Sequence, residues 1–294
     1  MMNRPIPLLL LTGFMLGLIF PMGRIAVEAG VPPIVWTFLI AAGSGIGLGF
    51  PLIHRLRRCD WPKGFWFYAV VSGLISNVLP NLIVFASAPR LGAGHVGLMF
   101  TLSPVCTLAL SLAVGMRRPS PIALAGIAIG FVGAVILVLG KGEVRPVQAD
   151  TLWLSLALLI PVSLGLGNIY RGLAWPDGAG AMELASASNL TSALMLIGAI
   201  ANFGGGVQQL ATLGGVPALS GAQLVLSCAY YLTLFALQRA GGPVYLSQIG
   251  YVGATVALAS GVLALGEQYG PMTWAGAAIV LIGIGFTIRA QLRR

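Results

Sequence analysis

The sequence predicts an all-α polytopic membrane protein in which ten transmembrane helices form two inverted five-helix repeats. Three observations carry this. Hydrophobic residues make up 57% of the 294 and charged residues only 8%, whereas a soluble domain carries about a quarter charged. The apolar residues gather into runs of roughly 20, the length a helix needs to cross a bilayer core of about 30 Å. Threading those runs alternately through the membrane then puts most basic residues on one side.

The first run, residues 5–29, follows Arg4 as a signal peptide would. No small-x-small cleavage site closes it and its apolar character continues past Pro21, so it reads as a retained helix. Further spans follow at residues 33–54, 65–88, 92–116 and 121–140. A polar stretch, Lys141 to Asp150, then joins two units, residues 1–145 and 146–294. The second unit carries spans at 151–170, 181–202, 220–238, 243–265 and 271–290. Helices are required because a backbone in lipid must satisfy its own donors and acceptors, and no ten-residue alternation marks barrel strands.

Orientation follows from the Lys and Arg residues. One side receives Arg4, Arg55, Arg57, Arg58, Lys63, Arg117, Arg118, Arg171, Arg239, Arg289, Arg293 and Arg294. The other receives Arg24, Arg90, Lys141 and Arg145, balanced by Glu28, Glu143, Asp150 and Glu267. Both termini are therefore expected in the cytoplasm. The formal net charge of +9 reads as juxtamembrane contact with anionic lipid and not as a nucleic-acid surface, since the basic residues sit between apolar runs. Cys59, Cys106 and Cys228 have neither a CxxC nor a metal-ligand spacing. No metal, cofactor or disulfide framework is expected.

The repeat is read from residue matches. Gly126, Ile129 and Gly133 precede Gly276, Ile279 and Gly283 by 150 positions (126 to 276), and Arg90 precedes Arg239 at a similar offset. Thr107, Ala109 and Leu110 match Thr255, Ala257 and Leu258 at a slightly smaller one. Five spans per unit is an odd number, so the second unit enters the membrane from the opposite side. Inverted repeats let a carrier present one midplane site to each face in turn. Glycines such as Gly13 and Gly17, Gly43 and Gly47, Gly45 and Gly49, and Gly126 and Gly130 have the spacing of close helix packing.

The run LALGEQYGPMTWAGAAIVLIGIG, from Leu263 to Gly285, and Pro104 in TLSPVCTLALSLAVG carry a resemblance to the EamA-like ten-helix family of the drug/metabolite transporter superfamily, over essentially the whole chain. Two features depart from that family. Gly115, Met116 and Arg117 stand where a Gly-Glu pair is common, and the second helix lacks the arginine often found near its start. The resemblance implies transport of a small molecule. Within the family the chain looks most like aromatic amino-acid exporters, which implies amino-acid efflux across a bacterial plasma membrane. Export of other metabolites or lipophilic drugs is the alternative reading, and a channel a further one, although no TVGYG filter or charged ring is present. An enzyme is not expected: no span contains an aspartate, and HExxH and GxSxG motifs are missing.

A charge at the bilayer centre costs about 2.5–3.5 kcal/mol. Arg24, Arg90, Arg171, Glu183, Arg239 and Glu267 all fall near predicted span ends, where long side chains reach the interface. His95, about a turn inside its helix, reads as structural or interfacial. The expectation is a facilitative or loosely coupled carrier of a neutral or zwitterionic substrate. Its cavity would draw on Ser76, Asn77 and Asn81 of the third span, Ser227, Tyr230 and Tyr231 of the eighth, and Ser247, Gln248 and Tyr251 of the ninth. Buried amides and phenols need partners in lipid, which singles out Asn77, Asn81, Tyr231 and Gln248. Met99 and Phe100 are candidates for an apolar wall. Pro21, Pro80, Pro104 and Pro161 interrupt spans, each freeing a carbonyl one turn earlier that can ligate a substrate.

Overall fold

The computed structural model describes residues 5–58, 61–91, 96, 99–116, 119–140, 151–202, 206–265 and 270–292. Cys59, His95, Arg117, Arg118, the 141–150 connection, the Gly266-Glu267 pair, Arg4, Arg293 and Arg294 lie outside the described residues.

The chain is all-helical, with no strand among the described residues. Helix α1 spans Pro5–Glu28, α2 Pro33–Gly47, α3 Phe50–Arg58 and α4 Phe65–Gly73. A π-helical turn, Leu74–Val78, leads into α5, Leu79–Leu91. Next come α6, Ser103–Ala113, α7, Pro121–Gly140, α8, Thr151–Ala157, α9, Leu159–Leu173, and α10, Ala181–Asn202. A 3₁₀ segment, Val207–Gly215, precedes α11, Pro217–Ser247, α12, Ile249–Leu265, and α13, Pro271–Leu292.

Among the described residues, the helical runs Pro5–Glu28, Phe65–Ser87, Ser155–Leu173, Ala181–Asn202, Pro217–Ser247 and Pro271–Ala290 are long and apolar enough to cross a membrane. Shorter apolar helices cover Pro33–Gly47, Met99–Ala113, Pro121–Ile136 and Ile249–Leu263. Phe67, Leu194 and Val225 face outward at 71%, 70% and 74% exposure. Water would penalise such a surface, and lipid requires it. Polar groups are turned inward: the Ser186 hydroxyl donates to the Gly45 carbonyl at 2.6 Å and Thr191 to that of Ala69 at 2.9 Å, joining α10 to α2 and α4.

Several spans read as continuous are interrupted. Pro80 has no N–H to donate and its ring crowds the Ser76 carbonyl, so the helix widens into the π turn just before it. The span containing Pro104 loses one step of its hydrogen-bond ladder at Leu102, whose backbone stays helical (φ −81°, ψ −17°), with the proline in the first turn of α6. Pro161 likewise sits in the first turn of α9, after a one-residue interruption of the hydrogen-bond ladder at Leu158, within the continuous helical run Ser155–Leu173. At Gly242 the backbone swings to φ 73°, ψ 178°, a conformation open to glycine and consistent with the following Pro243. The ninth span then breaks again at Gln248. Pro21, by contrast, lies inside a continuous α1.

Helices from residues 5–140 pack against helices from residues 151–292. α7 lies along α13; α1 packs on α12, and α6 on α9; α2 packs on α10; α10 also meets α4, and α2 also meets α11. Glycines permit the closest approach. A Cβ placed on Gly283 would lie 2.6 Å from the Gly130 nitrogen and 2.7 Å from the Gly126 carbonyl oxygen, and one on Gly133 would lie 2.8 Å from the Gly276 carbonyl oxygen.

Candidate functional site

The π turn, α5, α9 and α11 surround an interior cavity whose polar lining includes Ser76, Asn77 and Asn81 from the third span, Asn168 and Arg171 from α9, and Tyr230 and Tyr231 from α11. Its apolar wall includes Leu16, Ile19 and Phe20 of α1 together with Val84, Phe85 and Phe100. Both interrupted helices reach it. Phe100 and Ser103 flank the interruption at Leu102, while Ser247, Ile249 and Gly250 flank the one at Gln248. The two meet, since Gly250 packs against the Phe100 carbonyl, to which Pro104 has no N–H to offer. Phe20 and Phe100 close the apolar side edge-to-face, with centroids 4.9 Å apart.

The open space at the centre is about 40 Å³. That admits about three waters, whereas ligand pockets commonly measure about 300–1,000 Å³. The interior cavity is therefore drawn in around its polar groups. A second space of about 390 Å³ adjoins it, lined by Trp175, Asp177, Gln238, Arg239 and Gly242 among others. Arg171 borders both.

The polar groups are held in defined directions. Tyr231 lies beside the Asn81 side chain in the cavity lining, and the rings of Tyr230 and Tyr231 stand 5.0 Å apart. The Asn77 amide donates weakly to Asn189 Oδ1 at 3.5 Å and Ser192 Oγ at 3.4 Å. Asn168 donates to Thr107 Oγ1 at 3.1 Å and accepts from the Arg171 guanidinium at 2.7 Å. The Gln238 amide donates to the Asn168 carbonyl at 3.3 Å.

Of the residues singled out in the sequence, Asn77, Asn81, Tyr230 and Tyr231 line this one cavity, together with Ser76, Ser247, Phe100 and Pro80. Met99, Gln248 and Tyr251 do not line this cavity. Met99 packs in the apolar core. Tyr251 turns the other way, donating its hydroxyl to the Ile127 carbonyl at 3.1 Å and packing on Gly130. Gln248 is buried at the helix break itself. Ser227 satisfies itself within α11, donating to the Gln223 carbonyl at 2.7 Å.

Arg171 requires a correction. Its place near a predicted span end suggested an interfacial side chain, yet it is 3% exposed. α9 continues to Leu173, and Trp175 to Ala179 fold over the helix end, where the Trp175 indole donates to the Ala179 carbonyl at 3.1 Å. Arg24 and Glu183 do keep to the expected periphery. Arg24 pairs with Glu28 at 2.7 Å, and Glu183 pairs with Arg55 at 2.7 Å.

Comparison with known proteins agrees with this architecture. The model of the EamA-like transporter family matches residues 3–139, the first half of the chain, and that family consists of transporters, not enzymes. One solved structure, described only as a crystal structure of a protein, is similar with a TM-score of 0.70 at 17% identity, over 95% of this chain and 98% of its own. No curated protein matches the chain. The first half of the chain is accordingly similar to EamA-like transporters, and the described helices have the length and apolar character of a multi-pass membrane protein.

Proposed function

We propose that this protein is an alternating-access exporter of amino acids, aromatic or otherwise bulky, and of similar small metabolites. Its ten spans would form two five-helix units, residues 1–145 and 146–294, threaded oppositely through a bacterial inner membrane with both termini cytoplasmic. The observation that carries the reading is the meeting, at a single polar cavity, of two helices whose hydrogen-bond ladders are interrupted, at Leu102 and at Gln248, one from each proposed unit. Discontinuous helices at corresponding places in the two halves are the physical signature of a carrier's midplane site.

The packing supports the duplication. If α7 corresponds to α13 through Gly126 with Gly276 and Gly133 with Gly283, exchanging the halves turns the Gly126–Gly283 contact into Gly276–Gly133, and both contacts occur. The same exchange converts α1 on α12 into α9 on α6, and α4 on α10 into α11 on α2. Under this threading the larger space beside Arg171 opens to the cytoplasm and the Phe20–Phe100 pair faces outward. That suits a carrier loaded from inside.

A buried carboxylate or histidine usually mediates proton coupling. Among the described residues no Asp or Glu side chain is buried, which supports facilitative or loosely coupled transport. The test is counterflow in proteoliposomes with a panel of labelled amino acids. Saturable flux with trans-stimulation that survives collapse of the proton gradient is expected. Flux that rises linearly with concentration would replace the carrier with a pore, and counterflow abolished by the uncoupler would overturn the uncoupled mechanism.

A further inference from the structure

Arg171 is the one charged side chain buried among the described residues. A guanidinium carries five donors and keeps its charge, so burying it without an opposite charge is costly. Here the described surroundings leave it uncompensated. One nitrogen donates to the neutral amide oxygen of Asn168 at 2.7 Å, and Nε has no partner among the described residues. The Phe235 ring lies 5.7 Å from its central carbon, a cation–π contact that offsets part of the burial. The vestibule's Asp177 is exposed and forms no ion pair with it among the described residues. Asn168 cannot swing to serve the remaining donors, because its own amide is engaged by Thr107.

The missing counter-charge therefore has a place, at the neck where the interior cavity meets the vestibule. Resting on the carrier reading above, we propose that Arg171 takes the carboxylate of the transported molecule. The substrate class is then small carboxylic acids, amino acids included, and not neutral or cationic lipophiles. A carboxylate matches the planar fork with two parallel hydrogen bonds. Among the described residues no second basic side chain lines the interior cavity, so the site neutralises a single negative charge and offers a phosphate dianion no further cation. A zwitterion's ammonium would then face the Tyr230 and Tyr231 rings and the Asn81 amide, which suit a cation.

The test is binding in nanodiscs, followed by intrinsic tryptophan fluorescence, since Trp175 lines the vestibule beside Arg171. Phenylalanine, 3-phenylpropionate and phenethylamine are the probes. Wild-type protein is expected to bind both acids at least about 30-fold more tightly than the amine, about 2 kcal/mol at 1.4 kcal/mol per factor of ten. Arg171→Gln should remove that preference, and Arg171→Lys should retain part of it. Equal affinity for acid and amine, no binding of either acid, or full acid affinity in a folded Arg171→Gln protein each overturns the proposal. The wild-type ligand series decides on its own if the variant does not fold. Flux measured on the same preparations separates the two claims: transport without carboxylate preference sinks only this one, while acid-selective binding without transport sinks only the carrier reading.

Discussion

Two tyrosines with similar sequence credentials end in different roles. Tyr231 lines the cavity beside Asn81. Tyr251 is spent on the Ile127 carbonyl between α12 and α7. A net hydrogen bond contributes about 1 kcal/mol, so Tyr231→Phe should raise KM about fivefold with little change in Tm. Tyr251→Phe should lower stability by about 1 kcal/mol with KM unchanged. The reverse pattern would mean that the cavity has been assigned to the wrong face of α12. Asn77, Asn81 and Tyr231 were legible because amides and phenols in lipid must find partners. Arg171 was not, because hydropathy locates where a span ends and says nothing of the Trp175–Ala179 segment that covers it.

At the scale of the element, the proline breaks were partly legible. A missing N–H frees a carbonyl wherever it falls, and Pro80 follows a π turn while Pro104 and Pro161 follow one-residue interruptions of the hydrogen-bond ladder, whereas the straight course of α1 through Pro21 depends on its neighbours. The break at Gln248 carries no proline and left no local mark. Glycine spacing foretold close packing without naming partners, and the pairing of α7 with α13 supplies them. A Cβ at Gly283 would run into the backbone of Gly126 and Gly130, while one at Gly285 in the same helix meets nothing within 4 Å. Overpacking typically costs about 1–3 kcal/mol. Gly283→Val should therefore lower the thermal midpoint in detergent, whereas Gly285→Ala should leave it unchanged or raise it, since alanine favours helix by about 1 kcal/mol. Equal effects of the two would remove the tight α7–α13 seam from the account.

For the whole molecule, composition sufficed to read a helical membrane protein, because 8% charged residues cannot clothe a soluble surface of this size. The contact pattern could not be read that way. It arises from how helices of residues 5–140 pack on those of residues 151–292, and it is the main support for the proposed pair of oppositely threaded units around one cavity. That arrangement is tested most directly by single cysteines at Ser103 and Ser247, one beside each helix break, in a protein lacking the native cysteines. Labelled with a membrane-impermeant thiol reagent in oriented vesicles, both positions should react from either face, and saturating substrate should protect both. Reaction of the two cysteines from opposite faces only, indifferent to substrate, would contradict a shared, alternately exposed site.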